Sequence, residues 1–329
     1  MNNKQRKAGE HESPILREIP EACKDELSAV EFMEKQRWGD TPACPHCGAM
    51  DVAQMKDSNG NRNKRFLWRC HSCKAQFTVR IGTVFEDSRI PLRIWCYAFW
   101  KACSSKKGIS ALQIKRECGL AYKSALFLMH RIRFAMTPDT EEKLSGDIEV
   151  DETYVGGKPR YKQHRVFDSS RPKMNTGRGT KKTPVLALIA RDGSIRTQVL
   201  PNITGETLRK AIIENVNVPS ARLLTDELHA YKKIGKEFSG GHEFVKHSAG
   251  EYARGDIHSN TAESFFATLK RGIYGTFHAV SKKHLHRYVN EFAFRWDTRK
   301  IDDGQRLVSA IKGADGKRLL YKEPVAKTA

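Results

Sequence analysis

"IEVDETYVGG", residues 148–157, decides how the second half of the chain is read. Ile148 and Val150 alternate with Glu149 and Asp151, a period of two that predicts a strand with one apolar and one acidic face. Asp151 therefore projects from one face of that strand. Downstream, "TPVLALIARDG" and "SIRTQVLPNI" read as a hairpin about Asp192 and Gly193, and "TGETLRKAIIENV" as a helix opened by Thr204. "ARLLTDEL" and "HEFVKHS" read as strands, followed by a helix near 260 and a long one over about 281–299. One mixed sheet flanked by helices satisfies this order.

Two more acids fit that frame. Asp226 lies 75 residues after Asp151, at the end of the apolar strand "RLLT", where α/β sheets commonly place functional groups. Glu263 follows 37 residues later in "HSNTAESFFATLKRG", residues 258–272, and Lys270 stands seven residues beyond it. Seven residues are two helical turns, so the two charges share a face, about 10 Å apart along the axis. One reading makes Asn260 an N-cap and Glu263 its capping-box partner, with Lys270 an ordinary surface lysine. The other makes Glu263 functional. Carboxylates from two strands and a helix could gather two Mg²⁺ or Mn²⁺ ions, whereas without metal they would repel one another.

The first half carries a different signal. "CPHCG" at 44–48 and "CHSC" at 70–73 place two C-x2-C pairs with 22 residues between them. Two such turns supply four thiolates to one tetrahedral Zn²⁺ and leave no open position, so Cys44, Cys47, Cys70 and Cys73 predict a structural site. "DSNGN" at 57–61 marks a hairpin turn between them. Phe66, Trp68 and Phe77 alternate with basic residues on the expected strands, either as a DNA or partner surface or as module core. Cys23, Cys96, Cys103 and Cys118 fall in helical patterns and are expected to pack as small apolar residues.

Between these halves, from Pro91 to about Met136, the periodicity is helical. Ser110 is a credible N-cap, Gly119 a turn, and a second helix carries Lys123, His130, Arg131 and Arg133, the outline of a helix-turn-helix. The whole chain has 58 Lys and Arg against 38 Asp and Glu, a formal charge of +20, which points to a polyanionic partner, most simply DNA. A segment at 158–182, with Lys158, Arg160 and Lys162, holds nine basic residues against one acid and is expected to order only on DNA. Arg271 extends the basic surface beside Glu263. No signal-peptide pattern or apolar run long enough for a bilayer is present, so a cytoplasmic, nucleoid-associated protein with no membrane partner is expected.

The combination "VDETYVGGK", "LLTDELHAY" and "HSNTAESFFATLKRGIYGTFHAVSKKHLHRYVNEFAFRW", behind a zinc ribbon and a helical region, resembles the DDE transposases of bacterial insertion sequences, in the group related to Merlin elements. The resemblance implies a ribonuclease-H-like catalytic domain, two divalent metals, cleavage at terminal inverted repeats, and transfer of 3′-hydroxyl ends into target DNA. It matches Asp151, Asp226 and Glu263 to the acidic triad, with Asn260 as the alternative third ligand, and Lys270 to a basic residue near the cleaved bond. It also implies a dimer or larger assembly on DNA. The expected domains are a tail and helix (1–40), a zinc ribbon (41–88), a helix-turn-helix-like region (89–138), the catalytic domain (146–300) and a C-terminal tail (301–329). Two rival readings are a DNA-binding regulator with remnant carboxylates and a structure-selective nuclease using the same metals.

Overall fold

The computed structural model describes residues 13–138, 142–157, 182–245, 249–251 and 253–321. Lys158, Arg160 and Lys162, with nearly all of the basic segment, lie outside the described residues. The chain forms two compact units, 1–137 with 298–329, and 138–297.

The first unit opens with α1 (Pro14–Ala22) and α2 (Glu26–Trp38), where the sequence suggests a single helix near 22–36. Asp25 caps α2 by accepting the Ser28 amide at 2.9 Å, and Gly39 ends it at φ +62°. Three short antiparallel strands follow, β1 (Val52–Gln54), β2 (Trp68–Cys70) and β3 (Gln76–Phe77), in the order 1-2-3. The turn at 57–61 is held by Asp57, whose carboxylate accepts the amides of Asn59 and Asn61, both at 2.9 Å. Trp68 and Phe77 pack edge-on against Trp38 at 6.0 and 5.9 Å, and Phe77 is 1% exposed. These two aromatics are therefore module core, the second of the two readings of the ribbon.

Then come α3 (Leu92–Ser104), α4 (Ala111–Cys118) and α5 (Tyr122–Ala135). Ser110 caps α4 through the Gln113 amide at 3.2 Å, and Gly119 takes φ +66° at the turn into α5. One expectation is corrected on α5. Lys123 is exposed, but His130, Arg131 and Arg133 are buried. Arg131 donates to the carbonyls of Val84 at 3.0 Å and Glu86 at 2.8 Å. The reason is helical spacing: Arg131 and Arg133 stand three and four residues beyond the core residues Leu128 and Met129, and so share their inward face.

In the second unit β4 (Leu144–Val155), β5 (Thr183–Ala190) and β6 (Ile195–Val199) form an antiparallel meander. After α6 (Gly205–Asn215), β7 (Val216–Thr225) pairs parallel with β4; after α7 (His229–Gly235), β8 (His242–Phe244) pairs parallel with β7. The five-stranded order is β6-β5-β4-β7-β8, the mixed ribonuclease-H-like sheet expected. A two-stranded hairpin, β9 (Ala253–Arg254) and β10 (Ile257–His258), leads to α8 (Asn260–Gly272) and α9 (Leu285–Asp297).

Alternation sorts the two faces of this sheet. Ile148, Val150, Leu186 and Leu188 pack in one cluster with Leu208, Ala211 and Ile212 of α6 and Tyr231 and Ile234 of α7. Val185, Ala187 and Ile189 pack on the other face with Ala262, Phe265 and Leu269 of α8 and Val289 and Phe292 of α9. All eight residues of β5 are buried, as an uninterrupted apolar strand covered on both faces must be. Glu149 and Asp151 consequently point to the α8 face.

The chain then returns to the first unit. Within the segment read as a C-terminal tail, α10 (Asp303–Lys312) buries Leu307, Ala310 and Ile311 and packs on α1, α2 and α3. Asp302 caps it, accepting the Gly304 and Gln305 amides at 2.8 and 3.0 Å.

Candidate active site and zinc site

Parallel pairing of β4 with β7 sets Val150 opposite Thr225. The next residue on each strand is an acid, so Asp151 and Asp226 emerge side by side where the β4–β7 pairing ends. Asp226 is fixed locally, its carboxylate accepting the Leu228 amide at 3.0 Å; Asp151 accepts the Glu152 amide at 2.7 Å. Glu263 sits in the first turn of α8, exposed, and Lys270 is half-buried two turns later on the same helix.

Electrostatics ties three of these residues together. Burial first, then the neighbouring Glu152, Asp226 and Glu263 carboxylates, push Asp151 up to about 8, against the opposing hydrogen bond from the Glu152 amide. A buried carboxylate with acidic neighbours marks a place where a divalent cation would be favoured. The three acids are hard oxygen donors and fit Mg²⁺ or Mn²⁺. Among the described residues the three are not drawn within 4.8 Å of one another, as the four cysteine sulfurs are.

The two readings of Glu263 are separated by the start of α8. Ser259, not Asn260, occupies the N-cap position, and it makes no side-chain capping bond. The free amides of the first turn are instead satisfied from the sheet. Glu149, 0% exposed, accepts the Thr261 amide at 2.9 Å, the Ala262 amide at 3.1 Å and the Thr261 hydroxyl at 2.7 Å. Glu263 is thus not engaged in a capping box. Sequence reasoning missed Glu149 as a cap because its partners lie 112 and 113 residues away; its alternation with Asp151 was the available signal. It also missed the buried Tyr231, whose hydroxyl donates to Glu152 at 2.8 Å just behind Asp151.

In the first unit, the sulfurs of Cys44, Cys47, Cys70 and Cys73 all lie within 4.8 Å of one another. Cys44 to Cys73 and Cys47 to Cys70 are each 3.7 Å apart. A tetrahedron with Zn–S bonds of about 2.3 Å has edges of about 3.8 Å, so the set fits zinc. The backbone amide of Cys73 donates to the Cys70 sulfur at 3.5 Å, a hydrogen bond that favours a ligating thiolate there. Among the described residues, this is the cluster of three or more candidate ligands drawn to metal-binding distance.

Residues 143–297, which hold all three acids and Lys270, match the ISXO2-like transposase domain, and residues 24–76 match the transposase zinc-ribbon domain. A relative from Halobacterium salinarum, described as an uncharacterized protein in transposable element ISH50, is 29% identical over 273 residues, 82% of this chain and 90% of the relative. No helix among the described residues is long and apolar enough to cross a membrane. With both domains present in order, on the sheet and the cysteine cluster that each requires, the chain carries the zinc ribbon and the DDE-type domain of insertion-sequence transposases.

Proposed function

We propose that the chain cuts DNA at the terminal inverted repeats of its own element and joins the freed 3′-hydroxyl ends to target DNA. The observation that carries this reading is the placement of Asp151 and Asp226 one residue past the paired Val150 and Thr225 of adjacent parallel strands, with Glu263 near enough to act on Asp151 from the first turn of α8. Asp151, Asp226 and Glu263 would hold two divalent cations, Mg²⁺ or Mn²⁺. When bound, those ions activate the attacking oxygen and stabilise the leaving oxygen of an in-line displacement.

The chain's own residues then do the positioning. In the first step a water oxygen attacks phosphorus at the transposon end, and the P–O3′ bond breaks to leave a 3′-hydroxyl. In the second, that hydroxyl attacks a target phosphodiester, forming one P–O bond as another breaks. Lys270, two turns beyond Glu263 on the same helix, would hold a DNA phosphate beside the reacting bond, with exposed Arg271 next to it. Asn260, at the start of α8, is the alternative third ligand; the carboxylate of Glu263 would offset the charge of two divalent cations where a neutral amide would not, which favours Glu263. Lys123, exposed at the start of α5, is placed for a groove or phosphate contact. Synapsis of two ends would bring together a dimer or larger assembly on DNA, and the zinc would serve the ribbon's structure.

Cleavage of a labelled duplex copied from the DNA flanking the gene tests this reading. Wild type should cut in Mg²⁺ or Mn²⁺ and Asp151→Asn should not. Equal cutting by both would remove Asp151 from the site. Binding without cutting by wild type, across several candidate ends and both metals, would favour a DNA-binding regulator. Cutting that ignores the end sequence and joins nothing would favour a structure-selective nuclease.

A further inference from the structure

We propose that Glu149 is a positioning residue for the metal site: its buried carboxylate fixes the first turn of α8 and thereby sets where Glu263 stands relative to Asp151 and Asp226. This rests on the reading of those three acids given above. Glu149 lies two residues before Asp151 and on the same face of β4, so one short length of strand carries both the clamp and a ligand. Its targets, Thr261 and Ala262, lie two residues and one residue before Glu263 on the same helical turn. Any sliding or tilting of the start of α8 would move the Glu263 carboxylate against the two aspartates. Glu149 forbids that motion with three hydrogen bonds.

The carboxylate is itself braced. Arg191, next to the β5–β6 turn, approaches Oε1 at 2.9 Å. The same guanidinium group donates to His258 Nε2 at 2.9 Å and to the Asp256 carbonyl at 2.7 Å. His258 Nδ1 also lies 3.5 Å from that guanidinium and 3.4 Å from Glu149 Oε1, so the ring sits against both charged groups. Arg222, on β7 beside Asp147, ties the hairpin again through the Asp256 carboxylate at 2.5 Å. Both oxygens of Glu149 are engaged and the side chain is fully buried, so it is not a fourth ligand. A buried carboxylate is tolerated only when so satisfied, and here that satisfaction links β4, β5, β10 and α8 at the edge of the site.

A simple stability role would make the same hydrogen bonds, so the test must separate the two. Mn²⁺ binding to the full-length, zinc-loaded protein, followed by electron paramagnetic resonance, gives a readout independent of activity. Asp226→Asn should weaken Mn²⁺ binding, as should Glu149→Gln, the latter by about 10–100-fold, the range found for residues that orient metal ligands. In a Glu263→Gln background, Glu149→Gln should add no further loss, because the residue it acts through is already gone. Should Glu149→Gln not fold, Thr261→Val removes only the hydroxyl bond, and its smaller loss should likewise vanish in the Glu263→Gln background. Equal losses with and without Glu263, or no loss while Asp226→Asn loses the ion, would overturn the positioning role alone. Mn²⁺ binding unchanged by Asp226→Asn would overturn the metal-site reading and this inference with it.

Discussion

Glu263 looks on sequence like either half of a capping box or a metal ligand, and the difference is one of free energy at a single side chain. A capping residue lost costs roughly 1 kcal/mol. Because Glu149 supplies the cap, Glu263→Gln should leave thermal stability within about 0.5 kcal/mol of wild type, as surface substitutions do, while removing cleavage. Circular dichroism melting beside the cleavage assay checks both halves of that statement. Gly272 offers the opposite case. A Cβ there would lie 2.1 Å from Phe292 Cζ, and Phe292 is 2% exposed and hemmed in by the α8–α9 core. Gly272→Ala should therefore cost about 1–3 kcal/mol by overpacking, measured by denaturant unfolding with the slope unchanged.

For the elements, period and punctuation in the sequence carried most of the fold. The alternation around Asp151 placed β4 and its acidic face; Ser110 and Gly119 marked the ends of α4; the C-x2-C pairs marked the ribbon. What local pattern could not carry was partner choice across long separations. Nothing near Glu149 says that its partners are Thr261 and Ala262, and nothing near residue 303 says that a helix there packs on α1–α3. The misreading of α5 has a different origin: its arginines were weighed by charge when their spacing from Leu128 and Met129 already turned them inward. The two kinds of basic residue on α5 should separate by experiment. Lys123→Ala should weaken DNA binding and lower its salt slope by about 1 without affecting stability. Arg131→Ala, which leaves the Val84 and Glu86 carbonyls without this donor, should cost about 1–3 kcal/mol. Fluorescence anisotropy across a salt series, paired with thermal melts, distinguishes them.

At the scale of the whole molecule, the chain builds one unit around a four-cysteine ribbon and helices, inserts the second, and closes the first with α10. Cys44→Ser should release zinc, read by atomic absorption, and red-shift tryptophan emission as Trp38 and Trp68 lose their packing. Truncation after Asp297 should destabilise the first unit, because Leu307, Ala310 and Ile311 leave its core. The second unit, on this reading, performs metal-dependent chemistry on DNA ends. That chemistry is tested most directly by strand transfer with purified protein, Mg²⁺ and a labelled duplex copied from the flanking DNA, comparing wild type with Asp226→Asn. Joined products from wild type alone are the expected result; joined products from both proteins would contradict the assignment of Asp226 to the catalytic site.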